Sequence, residues 1–203
     1  MSGPSRPYDA QLAVWLVTPL VGGPVSPNHL TSLRLLTGLL GAWLFATASA
    51  PNVAALLIVL SNFLDHTDGE LARLSGRQSQ FGHNFDLLSD AVVTSGMFIG
   101  IGYGLQTTLG TSALGMGLVA GVAVATIFHL RNVLESRYGK TVTRQPRWRG
   151  FEAEDILYLI PVISWCGELP LFLRAACIGA PIALVLVIVH YRQVEQLARA
   201  GRP

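Results

Sequence analysis

Four aspartates, Asp65, Asp68, Asp86 and Asp90, fall within 26 residues of otherwise apolar sequence. An ionisable group at membrane depth is costly, so its first reading is functional. Asp65 and Asp68 are three apart, and Asp86 and Asp90 four apart. Each pair therefore shares one helix face. The polar run from Ser75 to Gln80 reads as a short turn between two antiparallel helices. Counted from Gln78, Asp65 lies 13 residues back and Asp90 12 forward, while Asp68 lies 10 back and Asp86 8 forward. At about 1.5 Å of rise per residue, the two sets meet roughly 12–19 Å from the turn. Hard oxygen ligands facing each other suit Mg²⁺, Mn²⁺ or Ca²⁺ and not Zn²⁺. Without a cation, four such carboxylates repel and must be largely protonated; two divalent ions would cancel their charge.

The elements that carry these residues are membrane elements. The chain of 203 residues is 51% hydrophobic and 13% charged, with mean hydropathy +0.47. That composition predicts an all-α polytopic membrane protein. Six apolar segments are expected, at about 29–49, 52–75, 81–106, 113–136, 154–168 and 170–196. The fifth is the weakest, with Glu154 and Asp155 at its start and Pro161 inside it. The connections near 47–53 and 105–112 contain no Lys or Arg, and that near 166–174 only Arg174. Basic residues collect instead at the termini, after segment two and over 131–149. Positive charge favours the cytoplasmic side, so both termini and the carboxylate cluster are expected there.

Read as a pattern, Asp65-x-x-Asp68-Gly69-x-x-Ala72-Arg73-x8-Gly82-x3-Asp86-x3-Asp90 resembles the signature of the CDP-alcohol phosphotransferase family. Pro27-Asn28-x-Leu30-Thr31-x-x-Arg34 is similar to the segment that opens the first transmembrane helix in many members. The matches cover residues 27–90. The resemblance implies an integral membrane enzyme that transfers a substituted phosphate from a CDP-linked alcohol to a second alcohol and releases CMP. It implies Asp65, Asp68 and Asp86 as metal ligands, with Asp90 as general base and sharing the second of two divalent ions, Mg²⁺ or Mn²⁺. It places Asp68, Gly69, Ala72, Arg73, Gly82 and Thr31 at the CDP group. It also implies CDP-diacylglycerol as lipid donor, a small polar alcohol as acceptor, a role in phospholipid biosynthesis, a homodimer and a bacterial inner membrane. The reverse arrangement, phosphocholine or phosphoethanolamine passed from a CDP-alcohol to a lipid hydroxyl, uses the same signature.

Other residues have plainer readings beside the functional one. Gly69 and Gly82 either leave room for a base or sugar or let helices approach. Arg34 either snorkels or meets a nucleotide or lipid pyrophosphate. Arg73 is placed to take a phosphate bidentately, or it snorkels. Arg131 and Arg137 are candidates for a lipid or acceptor phosphate, against a role in headgroup attraction. His29 reads as interfacial, and His66 and His83 as outside the ligand set. The acidic patch 152–155 either caps a helix or selects a cationic acceptor. Gly115, Gly117 and Gly121 form a packing stripe, within one protomer or between two. Cys166 and Cys177 read as buried thiols, with a disulfide as the alternative.

Residues 1–26 are expected to form a juxtamembrane segment, amphipathic with Trp15 at headgroup level, ahead of one membrane domain over 27–203. A cleaved leader is not expected, because no basic start and cleavage signature appear. A divalent-cation or proton transporter would need acidic residues continuing outward, but 53–60 and 91–104 are apolar and hold none. Nucleic acid is not an expected partner.

Overall fold

Two prolines and two serines set the register of the helices that matter most. Ser26 precedes α2, Pro27–Thr47, and its backbone N–H donates to Nδ1 of His29 at 3.3 Å. Pro51 opens α3, Pro51–Ser75. In both helices proline takes the first turn, where its missing N–H leaves no bond unmade. Gly76 ends α3 with a left-handed φ of 65°, a conformation that favours glycine. Ser79 then caps α4, Gln80–Gly104, its Oγ accepting from the Gly82 N–H at 3.0 Å. The expected turn is thus present, and α3 and α4 form the expected hairpin.

The structure is a computed structural model that describes residues 8–139 and 157–199. The described residues form helices and no strands. Besides α2, α3 and α4, they comprise α1 (Tyr8–Val17), α5 (Gln106–Leu109), α6 (Ser112–Tyr138), α7 (Ile160–Trp165) and α8 (Leu169–Arg199). Helix α2 packs on both arms of the α3–α4 hairpin. Helix α4 continues the contact to α6, and α6 to α8. The core runs through Phe45, Ile58, Met97, Phe98, Ile101 and Leu173.

Small residues bring these helices together, as they do where lipid leaves no hydrophobic drive between helices. A Cβ at Gly100 would run into the Ala42 carbonyl, and one at Gly117 into the Phe98 carbonyl. The stripe in segment four therefore serves packing inside the chain at Gly117 and Gly121, whereas Gly115 faces open space.

Among the described residues, four helices are long and apolar enough to cross a membrane: α2, α4, α6 and α8. Helix α3 matches α4 in length at 25 residues, but Asp65, Asp68 and Glu70 make its second half polar. The described part of the fifth expected segment is a turn followed by the six-residue α7. That helix spans about 9 Å, far short of a bilayer core. Residues 154–156 and the acidic patch lie outside the described residues. Helix α6 runs on to Tyr138, so the first part of the basic stretch 131–149 is helix. The cysteines are free, and Cys166 is exposed, not buried. Helix α1 packs on α3 through a face that buries Ala13 and Val17, while Trp15 points outward.

Candidate functional site

The carboxylates meet where α2 crosses the hairpin. Their separation on α3 and α4 turns Asp65 and Asp68 towards Asp86 and Asp90, and α2 supplies the groups that hold them. Thr31 Oγ1 donates to Asp68 Oδ2 at 2.6 Å. One turn on, Arg34 is buried at 2% exposure. Its Nη1 lies 2.5 Å from Asp65 Oδ1 and 2.6 Å from Asp86 Oδ1, and its Nη2 pairs with Asp90 Oδ1. Ligand oxygens of Asp65, Asp68 and Asp86 fall within 4.8 Å of one another. Three hard carboxylate oxygens so grouped fit a divalent ion such as Mg²⁺ or Mn²⁺.

Two cavities open from this cluster. One, of about 340 Å³, sits at the mouth of the hairpin. Thr31, Asp68, Gly69, Ala72, Arg73, Gly82 and Asp86 all line it, with Asn28, Ser79 and His83. At Gly82 a Cβ would lie 3.0 Å from Asn28 Oδ1 and 3.1 Å from Ser79 Oγ, so the missing side chain leaves the cavity wall open. Arg73 pairs with the buried Glu70 at 3.0 Å and keeps its side chain half exposed at the cavity. The other cavity, of about 250 Å³, lies between α2, α3, α4 and α6. Asp65, Asp90 and Arg34 form one wall, and Arg131 faces them with His129, Asn132 and Glu135. The Nδ2 of Asn62 on this wall is buried with no hydrogen-bond partner among the described residues.

Among the described residues, the structure thus gathers every sequence candidate but one around a single cluster. The exception is Arg137, which lines neither cavity and instead hydrogen-bonds Tyr191 on α8 at 3.4 Å. Six positions after Arg131, its side chain leaves α6 on a different face. Arg34 does not snorkel: its guanidinium is buried and engaged by three carboxylates. His66 uses Nδ1 on the Asn62 carbonyl at 3.0 Å, and His29 caps α2 as described. Sequence reasoning missed Asn62, His129, Asn132 and Glu135. The last three recur every third residue, so their shared face was legible in the helical period.

The described residues form a helical bundle with facing carboxylates that could hold a cation and with four helices long and apolar enough to cross a membrane. The profile of the CDP-alcohol phosphatidyltransferase family matches residues 24–189, and the chain belongs to that family, whose members depend on divalent cations. It is 32% identical over 133 residues to a bifunctional IPC transferase and DIPP synthase of Rubrobacter xylanophilus, across 63% of this chain and 30% of that protein. It is 35% identical over 80 residues to an archaetidylinositol phosphate synthase of Pyrococcus horikoshii, across 37% of this chain and 42% of that protein. It is 37% identical over 68 residues to a CDP-diacylglycerol–serine O-phosphatidyltransferase of Mycobacterium leprae, across 34% of this chain and 22% of that protein. The matches therefore span less than half the length of these relatives. In fold, the chain resembles the Mycobacterium tuberculosis phosphatidylinositol phosphate synthase solved with CDP-DAG bound. That likeness has a TM-score of 0.66 at 17% identity and covers 91% of this chain and 93% of the other.

Proposed function

We propose that this protein transfers a phosphatidyl group from CDP-diacylglycerol to the hydroxyl of a small polar alcohol and releases CMP. The observation that carries this reading is the pair of cavities sharing one carboxylate cluster, beside family membership and relatives named for such transfers. The hairpin-mouth cavity takes the CDP group, with Gly69, Ala72 and Gly82 leaving space for base and sugar and Arg73 placed for a phosphate. The second cavity takes the acceptor, facing Asp90.

Asp65, Asp68 and Asp86 would hold the divalent ions, Asp90 sharing the second. Bound ions supply neutralisation of the pyrophosphate and of the charge on the departing CMP oxygen. The acceptor oxygen attacks the phosphorus that bears the diacylglycerol, and the bond from that phosphorus to the CMP oxygen breaks. Asp90 takes the hydroxyl proton as the new P–O bond forms. Arg131 and Asn62 orient the acceptor's polar groups. The chain's apolar exterior supports a lipid tail remaining in the bilayer: Ile178, Ile182, Val185 and Val189 of α8 are all exposed.

The finer reading has six spans in one domain over 27–203, preceded by an interfacial α1. Both termini and the site face the cytoplasm of a bacterial inner membrane, and the protein works as a homodimer. The charge asymmetry of the connections supports this orientation.

The test is CMP release by purified protein with Mg²⁺ or Mn²⁺ and CDP-diacylglycerol. Serine, inositol, inositol phosphate, glycerol phosphate and amine alcohols are supplied in separate pools. Acceptor-dependent CMP that stops on adding EDTA is the expected result. CMP formed only from CDP-choline or CDP-ethanolamine with diacylglycerol would replace this donor assignment with the reverse one.

A further inference from the structure

We infer that Arg34 is a built-in counter-cation of the carboxylate cluster, exchanged for divalent metal and not retained beside it. The inference rests on the cluster being the metal site proposed above.

Nη1 of Arg34 sits between Asp65 Oδ1 and Asp86 Oδ1 at 2.5 and 2.6 Å. These residues are two of the three whose oxygens group closely enough to hold an ion. A divalent ion bonded to the same pair of oxygens, at roughly 2.0–2.6 Å, would stand where Nη1 stands. Arg34 also claims Asp90 through Nη2. Asp68 is not among its ion-pair partners and is held separately by Thr31. A guanidinium and a dication at such spacing repel strongly in a partly desolvated site.

The exchange must occur at the side chain, because the backbone of α2 is pinned. The Arg34 carbonyl accepts from Ser61 Oγ and from Thr37 Oγ1, both at 2.9 Å. One turn on, a Cβ at Gly38 would stand 2.6 Å from Val93 and 2.8 Å from Ser61 Oγ, so α2 sits against both hairpin arms with no slack. The side chain has somewhere to go: Arg34 already lines the 250 Å³ cavity. The arrangement has a physical use. Without metal, four facing carboxylates would repel and loosen the crossing of α2 on the hairpin, and one tethered cation prevents that. Its cost is weaker metal binding, since metal must compete with a charge fixed at high local concentration.

The experiment uses full-length protein in detergent without substrate. Mn²⁺ affinity is measured by electron paramagnetic resonance for the wild type, Arg34→Gln, Arg34→Lys and Asp65→Ala. Removing the competing charge should tighten Mn²⁺ binding about tenfold in Arg34→Gln, while Arg34→Lys, which keeps the charge, stays near wild type. In EDTA, Arg34→Gln should melt several degrees below wild type and recover with Mn²⁺, since a ligand of the native state alone stabilises it. A folded Arg34→Gln that binds Mn²⁺ no tighter than wild type overturns the exchange. A second measurement needs no folded charge-removal variant. Wild-type protein labelled with ¹⁵N-arginine, its Arg34 side-chain signal assigned with Arg34→Lys, is titrated with Mg²⁺. Loss or a large shift of that signal at saturation is expected, and an unmoved signal overturns the inference. Wild type that binds no Mn²⁺, or Asp65→Ala that binds it as well as wild type, would instead remove the metal assignment on which the proposal stands.

Discussion

The two cavities share the carboxylate cluster and differ in how they are made. The hairpin-mouth cavity is built by neighbours in sequence: the end of α3, the turn and the start of α4 supply most of it, and the start of α2 closes it. The inner cavity draws on α2, α3, α4, α6 and Leu157, elements far apart in the chain. The first is a local device with fixed spacing. The second depends on how α6 lies against the hairpin and so is free to vary with its occupant. The carboxylates divide between them, Asp68 and Asp86 lining the outer cavity and Asp65 and Asp90 the inner one.

The sharpest way to break that division is at Asp90. Asp90→Asn should lower turnover on the order of 10²–10⁴-fold, the usual contribution of a general base. Binding of CDP, followed by calorimetry, should fall far less than turnover, because Asp90 lines only the inner cavity. Equal losses in turnover and CDP binding would merge the two cavities into one functional unit. Gly82→Val attacks the other side. Its side chain meets Asn28 and Ser79 at the cavity wall and should raise the donor KM about tenfold, near 1.4 kcal/mol. The acceptor KM should hold, and a donor KM that does not move would take the nucleotide away from this cavity. Arg131→Gln is the converse case. The acceptor KM should rise several-fold with the donor KM steady, read from initial rates of CMP release; a change confined to the donor would reverse the assignment. The smallest effect is expected at Ser79→Ala, which removes the α4 cap. Thermal unfolding should report a loss of about 1 kcal/mol, typical of an N-cap.

Much of the outer cavity was legible because its information is local. Two helices joined by a short turn fix which residues stand level, so Asp65 could be matched with Asp90, and Asp68 with Asp86, by counting. Gly76 and Ser79 supplied the turn chemistry in plain sight. The inner cavity was legible only in part. Arg131 was a candidate by its charge, but so was Arg137, and nothing in their types distinguishes a residue facing the hairpin from one facing Tyr191. Asn62 reads as an ordinary polar residue until the helices around it remove its partners. Of the fifth apolar segment, the described residues form a turn and the six-residue α7, which buries Ile160, Pro161 and Ser164 and leaves Val162 and Trp165 exposed before Gly167, whose φ is 75°.

The sequence by itself determined the helical class, the hairpin, the level of the four carboxylates and the preference for a hard cation, because periodicity, turn residues and ligand chemistry act over a few residues. Only the tertiary structure decided what fills the space between those carboxylates. Arg34 is distant in the chain from Asp65, Asp86 and Asp90, and its type admits a surface role as readily as a buried one. The close crossing of α2 on α3 and α4, permitted by Gly38 and Gly100, drives the guanidinium into the cluster. There, burial leaves it no partner as favourable as opposite charge.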